Sequence, residues 1–265
     1  MAVITLLTDF GLTDEYVGVL KGVIHGIDPA AVIIDVTHGI APQNVVAAAY
    51  TLKASYLYFS SGTIHVAVVD PGVGTARDIV AVRCDGYLFL APDNGLLDPI
   101  LKEHVPDEGY RVENQDLFRH PVSSTFHGRD IFAPVAAHLS RGLSLKALGR
   151  PLDFDALQPL HVQGPRTDPS GVLEGDIVGV DRFGNLITNI SSDHLAKLGT
   201  DNLDILLGDR IVTAMTRTYA PGGVGEIIAL VGSRNCLEIA VNGASASDIL
   251  DMTHGGVVRI KAHGR

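Results

Sequence analysis

Apolar runs that stop at a single carboxylate set the pattern of the first half of the chain. Residues 3–7 end at Thr8-Asp9-Phe10-Gly11, and Val66-Ala67-Val68-Val69 ends in the same way at Asp70-Pro71-Gly72-Val73-Gly74. Each reads as a buried strand followed by a carboxylate and a glycine turn. Between them, Tyr16, Val17, Val19, Leu20, Val23 and Ile24 recur at helical spacing and predict a helix over 14–27, with Thr13 as its N-cap. Residues 31–36 predict a second strand and 43–58 a second, alanine-rich helix. Strands over 79–84 and 87–90, a short helix over 96–103 and a helix over 131–139 complete this half. The βαβαβ alternation implies a Rossmann-like α/β domain with a mostly parallel sheet and right-handed crossovers.

The period changes after residue 160. Pro151, Pro159, Pro165 and Pro169 mark a stretch with little periodicity, from which a linker is expected over 161–171. Short alternating segments at 172–180, 185–190, 203–207, 226–231, 236–241 and 256–262, separated by Gly, Asn, Asp and Ser turns, predict a smaller C-terminal β-barrel or sandwich. The expected organisation is an α/β domain over 1–160, the linker, and a β domain over 172–265.

Composition narrows the function classes. Of 265 residues, 46% are hydrophobic and 19% charged, as in a soluble globular protein. A net charge of -10 with no dense basic run argues against nucleic acid as a partner. Cys84 and Cys236 stand alone without metal-ligand spacing, which points to a reducing cytoplasm rather than a disulfide framework or a metal site. The first residues read as a strand rather than a leader, and no apolar run is long enough to span a bilayer.

In an open α/β sheet the ligand crevice lies beyond the carboxyl ends of the strands, so Asp70 is the first candidate for chemistry. Arg77, seven residues on, could fold back to pair with it. Asp-Pro-Gly also ends strands simply to turn the chain. His127 stands in Ser123-Ser124-Thr125-Phe126-His127-Gly128-Arg129-Asp130, a polar run at a helix start where free N–H groups favour electron-rich ligands. A histidine there can equally be a cap, and it gains interest only beside Asp70.

Five stretches taken in order carry a resemblance: Leu7-Thr8-Asp9-Phe10-Gly11; Val69-Asp70-Pro71-Gly72-Val73-Gly74; Thr125-Phe126-His127-Gly128-Arg129-Asp130; Asp181-Arg182-Phe183-Gly184-Asn185 with Thr188-Asn189-Ile190; and Leu237-Glu238-Ile239-Ala240-Val241-Asn242. With these the chain resembles, end to end, the S-adenosylmethionine hydroxide adenosyltransferases, or adenosine-forming S-adenosylmethionine hydrolases, relatives of fluorinase and chlorinase. The resemblance implies a homotrimer whose ligand lies between the α/β domain of one subunit and the β-barrel of the next. It implies attack of water or hydroxide at the 5′ carbon of the adenosyl group, giving adenosine and L-methionine, with no cofactor and no metal. By motif, Asp70, Arg77 and His127 would surround the nucleophile and Asp9 would hold the ribose hydroxyls. Asn185 would contact the adenosine, and Asp181 and Ser233 the methionine. Glu238 and the backbone from Val241 fall in the last binding segment, and Tyr16 and Arg234 align near the substrate.

Three rival readings stand beside this one. A halide transferase would carry a tyrosine at Asp70 and a hydroxyl residue near Val73. A non-catalytic sensor of adenosine or S-adenosylmethionine would not need Asp70, Arg77 and His127 together. A metal-dependent hydrolase would use Asp9, Asp70 and His127.

Overall fold

The computed structural model describes residues 2–199, 202–213, 215–220 and 223–263. The chain divides into two compact units, residues 1–161 and 162–265.

The first unit follows the order β1 (Val3–Thr8), α1 (Tyr16–Ile27), β2 (Val32–Thr37), α2 (Val45–Ser55), β3 (Ile64–Val68), β4 (Ile79–Cys84), β5 (Tyr87–Pro92), α3 (Asp98–Leu101), β6 (Glu108–Arg111) and α4 (Ala133–Ser140). The six strands form one sheet in the order β2-β1-β3-β5-β4-β6. β2, β1, β3 and β5 pair in parallel, while β4 runs antiparallel to both β5 and β6. The sheet is therefore mixed: among the described residues five of its six strands share one direction, as the pattern implied, and β4 runs against them. β4 and β5 are joined by the two-residue turn Asp85-Gly86, with Asp85 at φ 52. A turn that short can only reverse the chain, since a parallel return needs a crossover of a dozen residues or more.

Side-chain alternation along the strands feeds two cores. Ile4, Leu6, Val66 and Val68 pack with Leu20 and Ile24 of α1 and Val135 of α4. Leu7, Ala67, Val69 and Val82 pack on the other face with Ala48 and Leu52 of α2. Polar side chains also enter this interior: His65 of β3 has 0% exposure, its Nδ1 lies 2.7 Å from the Oγ1 of buried Thr5, and its ring stacks on Phe89 at 5.3 Å. The expected helices are shorter at their starts. α1 begins at Tyr16 with no side-chain cap, so Thr13 does not cap it. α2 begins after Asn44, whose side chain accepts from the Ala47 N–H. α4 is preceded by a wide π-helical turn, Gly128–Phe132.

The second unit contains β7 (Arg166–Thr167), β8 (Leu173–Val180), β9 (Leu186–Ser191), α5 (Ser192–Ala196), β10 (Leu203–Leu207), β11 (Arg210–Val212), β12 (Met215–Thr216), β13 (Ile227–Val231), β14 (Cys236–Val241), α6 (Ala246–Leu250) and β15 (Val257–Ala262). Among the described residues nine strands form a barrel-like sheet in the order β11-β10-β15-β8-β9-β14-β13-β12, with β7 added beside β8. The segment expected as a linker thus carries a strand: Arg166 and Thr167 pair with Glu174 and Leu173. Inward residues of alternate positions, among them Leu173, Ile177, Ile205, Ile239 and Ile260, fill the barrel. Among the described residues no helix is long and apolar enough to cross a membrane.

Candidate active site

The carboxyl ends of β1 and β3 are neighbours in the sheet, which brings Asp9 and Asp70 to the rim of one cleft. Arg77 folds back onto Asp70 through the turn Pro71–Ala76. Its Nε lies 2.9 Å from both Asp70 oxygens, and its Nη2 also donates to Oδ2. The pair is withdrawn from solvent, with 11% and 5% of the two side chains exposed, so it is a fork-on-carboxylate contact in a dry setting. Gly74 permits this loop to seat. Its φ is +77, and a Cβ there would lie 2.2 Å from the Ser124 carbonyl oxygen.

That close approach sets the turn against the segment carrying His127. Arg77 Nη2 lies 2.9 Å from His127 Nδ1. A guanidinium has no acceptor, so Nδ1 must accept, and His127 is the neutral tautomer with its proton on Nε2. Burial, then the Arg77 charge, hold the imidazole below its ordinary pKa, against the opposing pull of Asp70 and Asp130. The cleft therefore offers a carboxylate as acceptor and an imidazole N–H as donor, both oriented by one arginine. Asp9 Oδ2 accepts the Gln43 N–H at 2.7 Å, and Gln43 takes φ 64 to present it. Phe10, Tyr16 and Phe126 meet edge to face at 5.9, 6.0 and 5.0 Å beside the cleft. Tyr16 is thus a member of an aromatic wall, and the residue is 41% exposed.

The remaining candidates gather in the second unit. Asp181, Asn185, Ser233, Arg234, Glu238 and Val241 line one pocket. Asp181 organises its own turn: Oδ1 accepts the N–H groups of Phe183 and Asn185 at 2.8 and 2.9 Å, and Oδ2 accepts the Asn185 amide at 2.8 Å. Glu238, on β14 and only 5% exposed, accepts the Tyr219 hydroxyl. Burial and that carboxylate push the Tyr219 pKa up to about 12. Volumes separate the two sites. About 730 Å³ suits a nucleoside-sized ligand, whereas the about 230 Å³ of the first cleft admits only a small group. A further cavity of about 320 Å³, bordered by Asp93, Leu97 and Phe154, contains none of the candidate residues.

Three participants escape a reading of the sequence. Tyr219 stands in an irregular segment, Gln43 merely precedes a helix, and Asp130 resembles any first-turn acid. Tyr219 and Gln43 are defined by partners distant along the chain, and Asp130 by donors gathered within its own loop. Among the described residues no group of three or more His, Cys, Asp or Glu is arranged to hold a metal ion.

Comparison with known proteins gives this geometry a context. Residues 4–149 match the SAM hydroxide adenosyltransferase N-terminal domain, and residues 175–259 match the SAM hydroxide adenosyltransferase C-terminal domain. The (R)-S-adenosyl-L-methionine hydrolase of Salinispora tropica is 36% identical over 98% of this chain and 97% of its own length. A fluorinase of Actinopolyspora mzabensis is 30% identical over 97% of this chain and 96% of its own. A crystal structure of an uncharacterised conserved protein from Thermotoga maritima is 39% identical, covers 97% of this chain and 99% of that one, and superposes with a TM-score of 0.90. Both domain matches in their proper order, together with relatives aligned over nearly their full length, make the chain a member of the SAM hydroxide adenosyltransferase family.

Proposed function

We propose that the chain is an enzyme that hydrolyses S-adenosyl-L-methionine to adenosine and L-methionine, a water or hydroxide attacking the 5′ carbon. The observation that carries this reading is Arg77 bound at once to Asp70 and His127, since a binding pocket alone has no use for that arrangement. The hydrolase relative supports it. Methionine leaves a sulfonium as a neutral thioether, so the departing group needs neither a proton nor a metal. The demand falls on placing a weak nucleophile in line, worth up to about 7–11 kcal/mol in favourable systems. Asp70 accepts from the nucleophile, and His127 donates to its oxygen through Nε2–H. Asp70 orients the nucleophile rather than generating it: Arg77 fixes both of its oxygens, hydroxide brings no surplus proton, and an attacking water gives its proton to solvent as the C–O bond forms and the C–S bond breaks.

We assign Asp9 to the ribose hydroxyls, Asn185 to the adenosine, Asp181 and Ser233 to the methionine, and Tyr16, Arg234, Glu238 and Val241 to the remaining substrate contacts. No cofactor takes part. The run β1-α1-β2-α2-β3 supports treating the first unit as Rossmann-like and the second as its barrel partner. A homotrimer in which the cleft of one subunit is closed by the barrel pocket of the next would join the small cleft to the larger pocket. Exposed Leu12 and Phe183, 76% and 78% accessible, are suited to such an interface. A cytoplasmic setting agrees with a sequence that has two cysteines, Cys84 and Cys236, far apart and without metal-ligand spacing.

Chromatography of products after incubation with S-adenosylmethionine tests the proposal: adenosine and methionine are expected, and unchanged substrate would overturn it in favour of a sensor. Halide transfer is the second reading, raised by the fluorinase relative. Val73 in the cleft argues against it, because its isopropyl group donates no hydrogen bond to a halide. Parallel incubations with chloride and fluoride would reveal a 5′-halo-adenosine if it holds. Turnover retained in a strong chelator would remove the metal-dependent reading.

A further inference from the structure

We propose that Asp130 is a positioning residue for this reaction: a buried carboxylate that fixes the loop carrying His127 and so holds the imidazole in the one tautomer the cleft requires. The inference rests on the function proposed above and adds a residue to its site.

Asp130 is fully buried, and its side chain is saturated with donors. Oδ1 accepts from Arg129 Nε at 2.7 Å, and Oδ2 accepts from Arg129 Nη2 at 2.8 Å and the Ser123 N–H at 2.8 Å. Arg119 Nη1 reaches Oδ1 at 3.4 Å. The backbone of the same residue closes two further links, its carbonyl accepting the Arg119 N–H at 2.8 Å and its N–H donating to Phe126 at 3.2 Å. Residues 119, 123, 126 and 129 are thereby tied to one point. Such a carboxylate contributes through geometry, since it is itself buried and each of its contacts is a charge-assisted bond, although the Arg119 and Arg129 side chains reach it from the surface.

The tie leads directly to the cleft. Ser123 precedes Ser124, whose carbonyl abuts Gly74, and Gly74 belongs to the turn that delivers Arg77. Arg129 lies over the Phe126 ring at 5.3 Å, and Phe126 adjoins His127. Releasing the 119–129 loop would therefore let His127 drift from Arg77, and the 2.9 Å contact that selects the Nε2–H tautomer would lapse. The charged groups that bear on His127 are Arg77 and Asp70 from the loop after β3 and Asp130 from its own turn, and the burial of Asp130 leaves it no route to substrate.

Protein with ¹⁵N-labelled histidine tests the assignment. Long-range ¹H–¹⁵N correlation reads the tautomer of each imidazole, with His127 identified by its loss in His127→Gln. The wild-type protein should show the Nε2–H form alone. Asp130→Asn should show mixed tautomers, together with a kcat lowered about 10²-fold and a much smaller change in KM. Arg129→Lys, which keeps the charge but loses the fork, should shift both readouts in the same direction by less, and it serves alone should Asp130→Asn fail to fold. A pure Nε2–H signal with kcat within about twofold of wild type in whichever of these variants folds would overturn the proposal. The tautomer comparison needs no turnover, so a wild-type protein inactive on S-adenosylmethionine would refute the function above and leave this assignment to be decided by the spectra.

Discussion

Lowering the pH from 7 toward 4 should cost this protein stability through His65, and the structure gives the size of the loss. The ring is sealed in the sheet interior between Thr5 and the aromatic side chains Tyr56, Phe59, Tyr87 and Phe89. Its Nε2 meets no protein partner, so a proton added there would be a buried charge without compensation. Burial lowers the imidazole from 6.5 to about 4. The unfolded chain therefore binds the proton first. The stability tied to neutral His65 is complete above pH 6.5 and is lost as the pH falls toward 4. The gap corresponds to about 2 kcal/mol by pH 5, about 3 kcal/mol at pH 4 and at most about 3.4 kcal/mol below that. His65→Asn keeps a polar atom near Thr5 and removes the titration. Denaturant unfolding of both proteins across this range isolates the effect, because the carboxylates that also weaken in acid, Asp35 and Asp130 among them, are common to both. The wild-type protein should be the more stable at pH 7, and the difference should shrink or reverse by pH 4. Parallel loss in the two proteins would refute the reasoning.

Gly74→Ala should cost about 1–2 kcal/mol from the left-handed backbone alone and, by pushing Ser124 away, separate Arg77 from His127. Thermal unfolding and turnover measured together should both fall, and wild-type turnover would show that the two loops need not touch. Asp9→Asn should raise KM about tenfold or more with a smaller effect on kcat, because a charged acceptor is lost to the ribose. Steady-state kinetics decides this, and an unchanged KM would remove Asp9 from the binding site. Tyr219→Phe leaves buried Glu238 without its phenolic donor and should weaken adenosine binding by about 1–3 kcal/mol in calorimetry. Unaltered affinity would reduce that hydrogen bond to a detail of the barrel wall.

The strands of the first unit are legible because period-2 alternation serves two cores at once, as Leu6 and Leu7 of β1 show by entering opposite ones. The direction of β4 is not set by apolar content, which says nothing of which way a strand runs; the Asp85-Gly86 turn, itself a two-residue hairpin signal in the sequence, decides it. Thr13 was a sound candidate cap by residue type, yet the helix begins two residues beyond its reach. In the barrel, β7, β11 and β12 are too short to leave a pattern, and they depend on longer neighbours for their place. At the cleft, Asp70 and Arg77 lie close enough in sequence for their pairing to be foreseen. His127 is 50 residues from Arg77, and only the resemblance linked them before the fold did. Tyr219 carries no local signal, because its significance lies in Glu238, 19 residues on, whereas Asp130 stands inside the polar run 123–130 and its role is set by the donors gathered there.

The bridge from Asp70 through Arg77 to neutral His127 has a consequence for the medium in which the reaction runs. One negative and one positive charge cancel within the cradle, so it neither repels a sulfonium nor discourages a hydroxide. Attack of an anion on a cation extinguishes both charges as the new bond forms, and water, which solvates the separated ions best, would slow that step. Because folding has already withdrawn the Asp70–Arg77 pair from solvent, substrate binding does not have to strip it again, and every further water expelled from the cradle would favour the crossing.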